Sequence, residues 1–206
     1  MKYPLIVVLT RACTALAALV LHLVTDSWPN AVSDIVTNFE TVDFPNVSME
    51  DKCTALLEIL TVIPEEFQTS KMEKSQLRQV RAGIKSGSKC VLDLFLQLIR
   101  SGQSTIVERS IKALASWLDL DLPLDQVVQH IELCFETMKT PKYFEVSGIV
   151  FQRSILLHRL TVENTKKSRC NHECTEFTYL TSIRQYTCPF YTTCYPSRSN
   201  ARSSNC

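Results

Sequence analysis

The amino-acid sequence predicts an all-α protein, an α-α superhelix of about three HEAT-like helix pairs with a mostly disordered C-terminal tail. One helical phrase recurs in the first 114 residues, as Arg11-Ala-Cys-Thr-Ala-Leu16, Lys52-Cys-Thr-Ala-Leu56 and Arg109-Ser-Ile-Lys-Ala-Leu114. Each copy opens an apolar run, then a turn and a second helix, and no strand-like alternation precedes residue 148. This periodicity is typical of an α-solenoid, which binds other macromolecules and rarely houses a catalytic pocket.

The first helix pair is predicted over about 5–24 and 30–39. The intervening Asp26-Ser-Trp-Pro29 forms a turn, because Pro29 suits the first turn of a helix. The second helix carries apolar residues at spacings of three and four, which predict a core-facing stripe: Val32, Ile35, Val36 and Phe39.

The second pair is predicted to begin at Met49, because Ser48-Met-Glu-Asp51 resembles a capping box. Its first helix is expected to end near Pro64. The following helix is predicted over about 72–100, with a kink or break near Gly83 and Gly87, since each glycine weakens a helix by roughly 1 kcal/mol.

The third pair is predicted to begin at a second capping box, Thr105-Ile-Val-Glu108, with helices over about 105–119 and 124–139. After residue 147 the pattern changes. A short helix is predicted over 149–160, and 164–206 is expected to be loop or disorder because it is rich in Ser, Thr, Asn and Arg without apolar periodicity.

Charge and cysteine content also predict two zones, a HEAT-repeat segment over 1–147 and a non-homologous tail over 148–206. Lys and Arg number 14 against 18 Asp and Glu in the first zone, and 8 against 3 in the second. Cysteine occurs about once per helix in the first zone, as expected of buried thiols in a reducing compartment such as cytosol or nucleus. Five of the nine cysteines crowd the last 37 positions.

Four motifs along the chain carry a family resemblance. The longest is Leu56-Leu-Glu-Ile-Leu-Thr-Val-Ile-Pro-Glu-Glu-Phe-Gln-Thr-Ser70, and the others are Leu16-Ala-Ala-Leu-Val20, the Asp26–Pro29 turn and Ala115-Ser-Trp-Leu118. In sequence, order and spacing they resemble the importin-β superfamily of karyopherins. The resemblance covers about 9–147, which is thereby an exportin-1/importin-β-like region. It implies a nuclear transport receptor, not an enzyme, that shuttles between nucleus and cytoplasm. Its implied partners are protein cargo, the GTP form of the Ran GTPase, and nucleoporins.

The resemblance has two limits. The family's amino-terminal repeats have no counterpart before Met1, and the match ends at about 145–147. We therefore expect a fragment whose tail comes from a gene-model artefact or a truncated isoform. The alternative is a truncated helical-repeat adaptor, or non-functional isoform, that binds a protein partner without Ran control. A weaker interpretation, secretion, depends on an apolar run after Met1 that Arg11 interrupts.

One candidate binding site is a basic stripe, defined as Lys74, Arg78, Arg81, Lys85 and Lys89. The spacings of four, three, four and four place these residues on one helix face. Such a face could attract an acidic patch of Ran or cargo; the alternative is an ordinary solvated face. Nucleic-acid binding is disfavoured, since the first zone is net acidic and no aromatic residues interleave with the stripe.

No motif predicts a catalytic residue, a cofactor site or a membrane partner. The Gly83–Cys90 segment lacks the spacing of a phosphate-binding loop. The tail residues Cys170, His172, Cys174, Cys188 and Cys194 have loose spacing for zinc, so no metal site is predicted. His22 and His130 lack partners at ligand spacing. Trp28 and Trp117 are expected to be packing anchors between helices.

Overall fold

The computed structural model describes residues 3–43 and 45–168, with side chains described over 7–43 and 45–159. The chain divides into two units, 1–164 and 165–206, and the fold described below is that of the first. Within the described residues the secondary structure is helical, without strands. The helices are α1 (Tyr3–Leu23), α2 (Ala31–Thr41), α3 (Met49–Thr69), α4 (Lys74–Ser86), α5 (Ser88–Arg100), α6 (Ser104–Leu118), α7 (Leu124–Thr137) and α8 (Phe144–Ser168), with a short 3₁₀ turn (Pro141–Tyr143) before α8.

The helices form two layers, which confirms the predicted superhelix of helix pairs. In one layer α3 packs between α1 and α6, and in the other α5 packs between α2 and α7. The three copies of the repeated phrase lie on α1, α3 and α6, so they occupy one layer. Glu58 of α3 accepts hydrogen bonds from Thr10 of α1 at 3.5 Å and from Arg109 of α6 at 3.4 Å. The repeated phrase therefore marks the helices that stack on one another.

The predicted end of the third helix at Pro64 is wrong, because α3 continues through this residue to Thr69. Proline has no amide N–H, so the carbonyl of Leu60, four residues earlier, loses its helical donor. The Nε1 of Trp117 in α6 donates to that carbonyl instead, at 2.8 Å. A hydrogen bond between two helices thus replaces the one that Pro64 removes.

The predicted break in the fourth helix is confirmed, since α4 ends at Ser86 and α5 begins at Ser88. A Cβ atom on Gly83 would lie 2.8 Å from a methyl carbon of Val24, and one on Gly87 would lie 2.7 Å from the Val32 side chain. These distances are too short for any other residue without movement of the first helix pair. The two glycines therefore allow the close approach of α4 and α5 to the first pair.

Only one of the two predicted capping boxes provides a side-chain cap for its helix. The amide of Asp51 donates to the Ser48 hydroxyl at 3.0 Å, and that hydroxyl donates to the Asp51 carboxylate at 2.6 Å. The second box is wrong, because Gln103 occupies the N-cap position of α6 and makes no side-chain cap. The Thr105 hydroxyl donates instead to Glu50 of α3, at 2.8 Å.

The last described helix, α8, is longer than the short helix predicted over 149–160 and passes through the predicted domain boundary at 147. Ser147 and Val150 are buried, and Ser147 shares a hydrogen bond of 2.9 Å with Thr137 of α7. Arg153 of α8 donates to the Ala115 carbonyl of α6 at 2.7 Å. Residues 164–168 are helical rather than loop, whereas 169–206, with the predicted disorder and the tail cysteines, lie outside the described residues.

Candidate protein-binding surface

The basic stripe begins on α4 and ends on α5. Lys74, Arg78, Arg81 and Lys85 lie on α4, and Lys89 lies beyond the break at Gly87. The opposite face of α4 is buried through Val80 and Ile84. Among the stripe residues, Lys74, Arg78 and Lys89 are exposed, whereas Arg81 and Lys85 are half-buried. The stripe is therefore on the side of α4 away from the core, but its five members differ in their surroundings.

Two residues of the stripe bind the turn between α6 and α7. The Arg81 guanidinium forms an ion pair with the Asp121 carboxylate, and Lys85 Nζ donates to the Asp121 carbonyl at 2.5 Å. Asp121 has a φ of 57°, a left-handed conformation that Asp tolerates better than most residues. Arg81 also lies over the ring of Phe67, with its guanidinium carbon 5.4 Å from the ring centroid.

The contact with Asp121 was not predicted from sequence. The segment Leu120-Asp-Leu-Pro123 indicates a turn, but nothing local relates it to a helix that begins 47 positions earlier at Lys74. The pairing exists because the third helix pair stacks on the second, which brings the α6–α7 turn beside α4. Two of the five stripe residues are thus already engaged within the protein.

The remaining end of the stripe lies beside acidic residues. Lys89 borders an open groove of about 420 Å³ that also includes Glu40, Cys90 and Asp93. Burial raises the pKa of the Cys90 thiol, and the negative charges of Glu40 and Asp93 raise it further. Because two carboxylates lie near Lys89, its positive potential is locally offset. Lys74 and Arg78 are the exposed members of the stripe that lie outside this groove.

Both tryptophans pack between structural elements, as expected. Trp117 is fully buried between α3 and α6. The Nε1 of Trp28, which is half-buried, donates to Asp34 of α2 at 2.7 Å and fixes the turn that precedes this helix.

The buried His130 has one hydrogen-bonded ring nitrogen, whereas its Nδ1 has no hydrogen-bond partner within the described residues. The Nε2 of His130 lies 2.8 Å from the Leu92 carbonyl, which ties α7 to α5, and burial lowers the pKa of His130. His22 is exposed. Within residues 3–43 and 45–168, no cluster of three or more His, Cys, Asp or Glu could hold a metal ion. The tail residues Cys170, His172 and their neighbours are outside these ranges.

The four cysteines of the first zone are free thiols in the helices. Cys13 and Cys134 are buried, and Cys53 and Cys90 are half-buried. Burial raises the pKa of each thiol, to about 12 for Cys134. These side chains therefore remain protonated near neutral pH and lack the thiolate form that nucleophilic or metal-binding cysteines use.

A bilayer-spanning segment must be both long and apolar, and none of the described helices meets this requirement.

Comparison with known proteins gives one consistent set of relatives. A family model described as Exportin 1-like protein matches residues 6–150. Importin-13 from Rattus norvegicus, from Gallus gallus and from Homo sapiens is 38% identical to this chain over 143 residues in each case. That alignment covers 68% of this chain but only 15% of each relative. The family match extends from α1 into α8, so it includes all three helix pairs and the basic stripe.

Proposed function

Because this chain belongs to the exportin 1-like family within the importin-β superfamily of nuclear transport receptors, we propose that it acts in nucleocytoplasmic transport of protein cargo under the control of Ran-GTP. The family consists of transport receptors rather than enzymes. Its implied locations are the nucleus and the cytoplasm, and nucleoporins are the further partners that passage through the pore requires. The proposed role is recognition by shape and charge on a helical scaffold.

The observation that carries this proposal is the contact between two of the resembling motifs. Leu60 and Pro64 belong to the motif on α3, and Trp117 belongs to Ala115-Ser-Trp-Leu118 on α6. Leu60 and Trp117 are 57 positions apart in sequence, yet Trp117 donates to the one carbonyl that Pro64 leaves without a helical donor. Two of the segments that resemble the family thus join the second helix pair to the third, which supports a shared scaffold rather than chance similarity.

The basic stripe offers a surface on this scaffold for an acidic region of Ran or of cargo. Lys74 and Arg78 are exposed on successive turns of α4. Exposed charges of one sign accelerate association with an oppositely charged partner and make its rate sensitive to salt. We therefore expect these two residues to contribute mainly to the association rate.

A binding experiment with the full chain tests the proposal. Affinity-tagged chain is incubated with Ran loaded with a non-hydrolysable GTP analogue or with GDP, and retained Ran is quantified. We expect retention of the GTP form only. Nucleotide-independent retention, or none, would contradict Ran control and favour the helical-repeat adaptor.

Charge-reversal variants then test the stripe. Lys74→Glu combined with Arg78→Glu should slow association with the GTP form in surface plasmon resonance. Lys112→Glu combined with Lys139→Glu is the matched control, since both lysines are exposed and lie on other elements. Equal association rates for the two double variants would exclude the stripe as the contact surface.

A further inference from the structure

We propose that Asp121 is an internal competitor for the basic stripe, which it occupies at Arg81 and Lys85 until an acidic segment of a protein partner displaces it. This inference rests on the function proposed above, in that the stripe must receive an acidic partner. It adds a regulatory contact: the protein carries its own acidic ligand for its binding surface.

The geometry of Asp121 is that of a bound ligand. Its carboxylate pairs with Arg81, and its carbonyl accepts from Lys85, one helical turn further along α4. A single residue therefore satisfies two successive cations of the stripe. The left-handed backbone at Asp121, with φ of 57°, presents both of its acceptors to α4.

The contact with Asp121 is one that a partner can displace. The side chains of Arg81 and Asp121 remain 42% and 47% exposed, and ion pairs at such sites are weak because water and salt screen them. Arg81 also makes a cation–π contact with the buried Phe67 ring, which does not involve Asp121. When Asp121 leaves, this contact keeps the guanidinium at the surface, oriented for a new carboxylate.

An acidic protein segment fits the stripe better than another ligand does. Lys74, Arg78, Arg81 and Lys85 follow one line of α4 about 16 Å long, at a rise of about 1.5 Å per residue. An extended peptide of roughly five residues covers that length. A nucleic acid fits less well, because no aromatic side chain on which bases could stack is interleaved with these four residues.

Occupation of the stripe would also change a contact between helix pairs. The ion pair of Asp121 with Arg81 and its hydrogen bond with Lys85 connect the turn after α6 to α4. An acidic partner that binds both cations breaks these two contacts. Binding is therefore coupled to the packing of the third pair on the second. The buried ties between α3 and α6 are untouched, so the fold persists.

The test measures binding of a fluorescein-labelled hexaglutamate peptide to the full chain by fluorescence anisotropy. Asp121→Asn removes the competing charge, keeps the carbonyl that Lys85 uses, and tolerates the left-handed backbone. We expect this variant to bind the peptide roughly 1.5- to 5-fold more tightly than the unmodified chain, from the range measured for exposed ion pairs. The gain should shrink as salt is raised, because salt already weakens the internal ion pair.

Asp125→Asn is the matched control, because it removes the same charge from an exposed position four residues away. Equal tightening by both variants would overturn the inference, since it would reflect net charge alone. A second result would also overturn the inference: the unmodified chain binds the peptide through the stripe, but Asp121→Asn does not change the affinity. That result would leave the proposed function intact. Tighter binding of a single-stranded oligonucleotide than of the peptide would contradict the assignment of an acidic protein segment as the partner. The experiment with GTP-loaded and GDP-loaded Ran would still test the proposed function separately.

Discussion

The hydrogen bond from Trp117 to Leu60 gives the most direct test of how this scaffold is held together. Trp117→Phe keeps an aromatic ring but removes the indole N–H that donates to the Leu60 carbonyl, which Pro64 has deprived of its helical partner. Leaving such a carbonyl unsatisfied costs about 1–3 kcal/mol. The smaller ring leaves a cavity of roughly 40 Å³, which adds about 1 kcal/mol. The free energy of unfolding should therefore fall by about 2–4 kcal/mol.

The role of Pro64 makes this prediction sharper than an ordinary core substitution. Pro64→Ala returns an amide N–H to α3, and this N–H can donate to the Leu60 carbonyl. In that background Trp117→Phe should cost only the cavity, about 1 kcal/mol. The double-mutant cycle should thus give a coupling of about 1–3 kcal/mol between positions 64 and 117.

Urea denaturation of the full chain, followed by circular dichroism, measures all four variants of the cycle. Trp28→Phe is the control, because its indole donates to Asp34 at a half-buried site where water can replace it. It should cost about 0.5–1.5 kcal/mol and show no coupling to Pro64→Ala. If the cost of Trp117→Phe is the same in both backgrounds, within about 0.5 kcal/mol, the indole does not compensate for the proline and the reasoning is refuted.

Three further predictions concern glycine packing, a buried histidine and a helix cap. Gly87→Ala should destabilise by about 1–3 kcal/mol because its Cβ would clash with α2. A Cβ atom at position 148 would have no other atom within 4 Å, so Gly148→Ala should stabilise the fold by up to about 1 kcal/mol. Equal changes in the free energy of unfolding for Gly87→Ala and Gly148→Ala would contradict the packing argument. Burial lowers the pKa of His130 below 6.5, so the unfolded chain protonates first and the free energy of unfolding should fall as pH decreases below 6.5. A pH series of urea titrations should show a flatter slope for His130→Gln, and an unchanged slope would assign the effect elsewhere. Ser48→Ala should cost about 1 kcal/mol by loss of its cap. The Thr105 hydroxyl caps no helix, so Thr105→Ala should lower the free energy of unfolding by less than about half as much as Ser48→Ala in the same assay. A larger loss for Thr105→Ala than for Ser48→Ala would show that the second capping box forms in solution.

Local patterns predicted the helices, and tertiary contacts account for the failures. The break at Gly87 followed from the weakness of glycine in a helix, and the start of α3 followed from its Ser48 cap. The end predicted at Pro64 failed because the compensating donor lies on α6, which no pattern within α3 reveals. Thr105 failed as a cap for a similar reason, since its hydroxyl is taken by Glu50 of the neighbouring helix.

The candidate site shows the same division between local and distant information. Helical spacing predicted that all five stripe residues share one helix face. The structure places Lys74, Arg78, Arg81 and Lys85 on α4, but Lys89 lies on α5, beyond the break at Gly87. Helical spacing could not predict that Asp121 occupies two of them, because that contact depends on how the third helix pair stacks on the second. The sequence around Asp121 predicts a turn, but a predicted turn does not indicate which helix the turn contacts.

The two kinds of contact between the second and third helix pairs respond differently to the solvent. Trp117 joins α6 to α3 through a buried, uncharged hydrogen bond that salt does not screen. Asp121 joins the next turn to α4 through partly exposed charges, which salt weakens over a Debye length of about 8 Å at physiological ionic strength. An acidic partner can therefore open the charged contact while the buried one holds the stack together. It follows that raising salt should alter peptide binding at the stripe well before it alters the urea midpoint of unfolding, and parallel changes in the two would show that the contacts act as one unit.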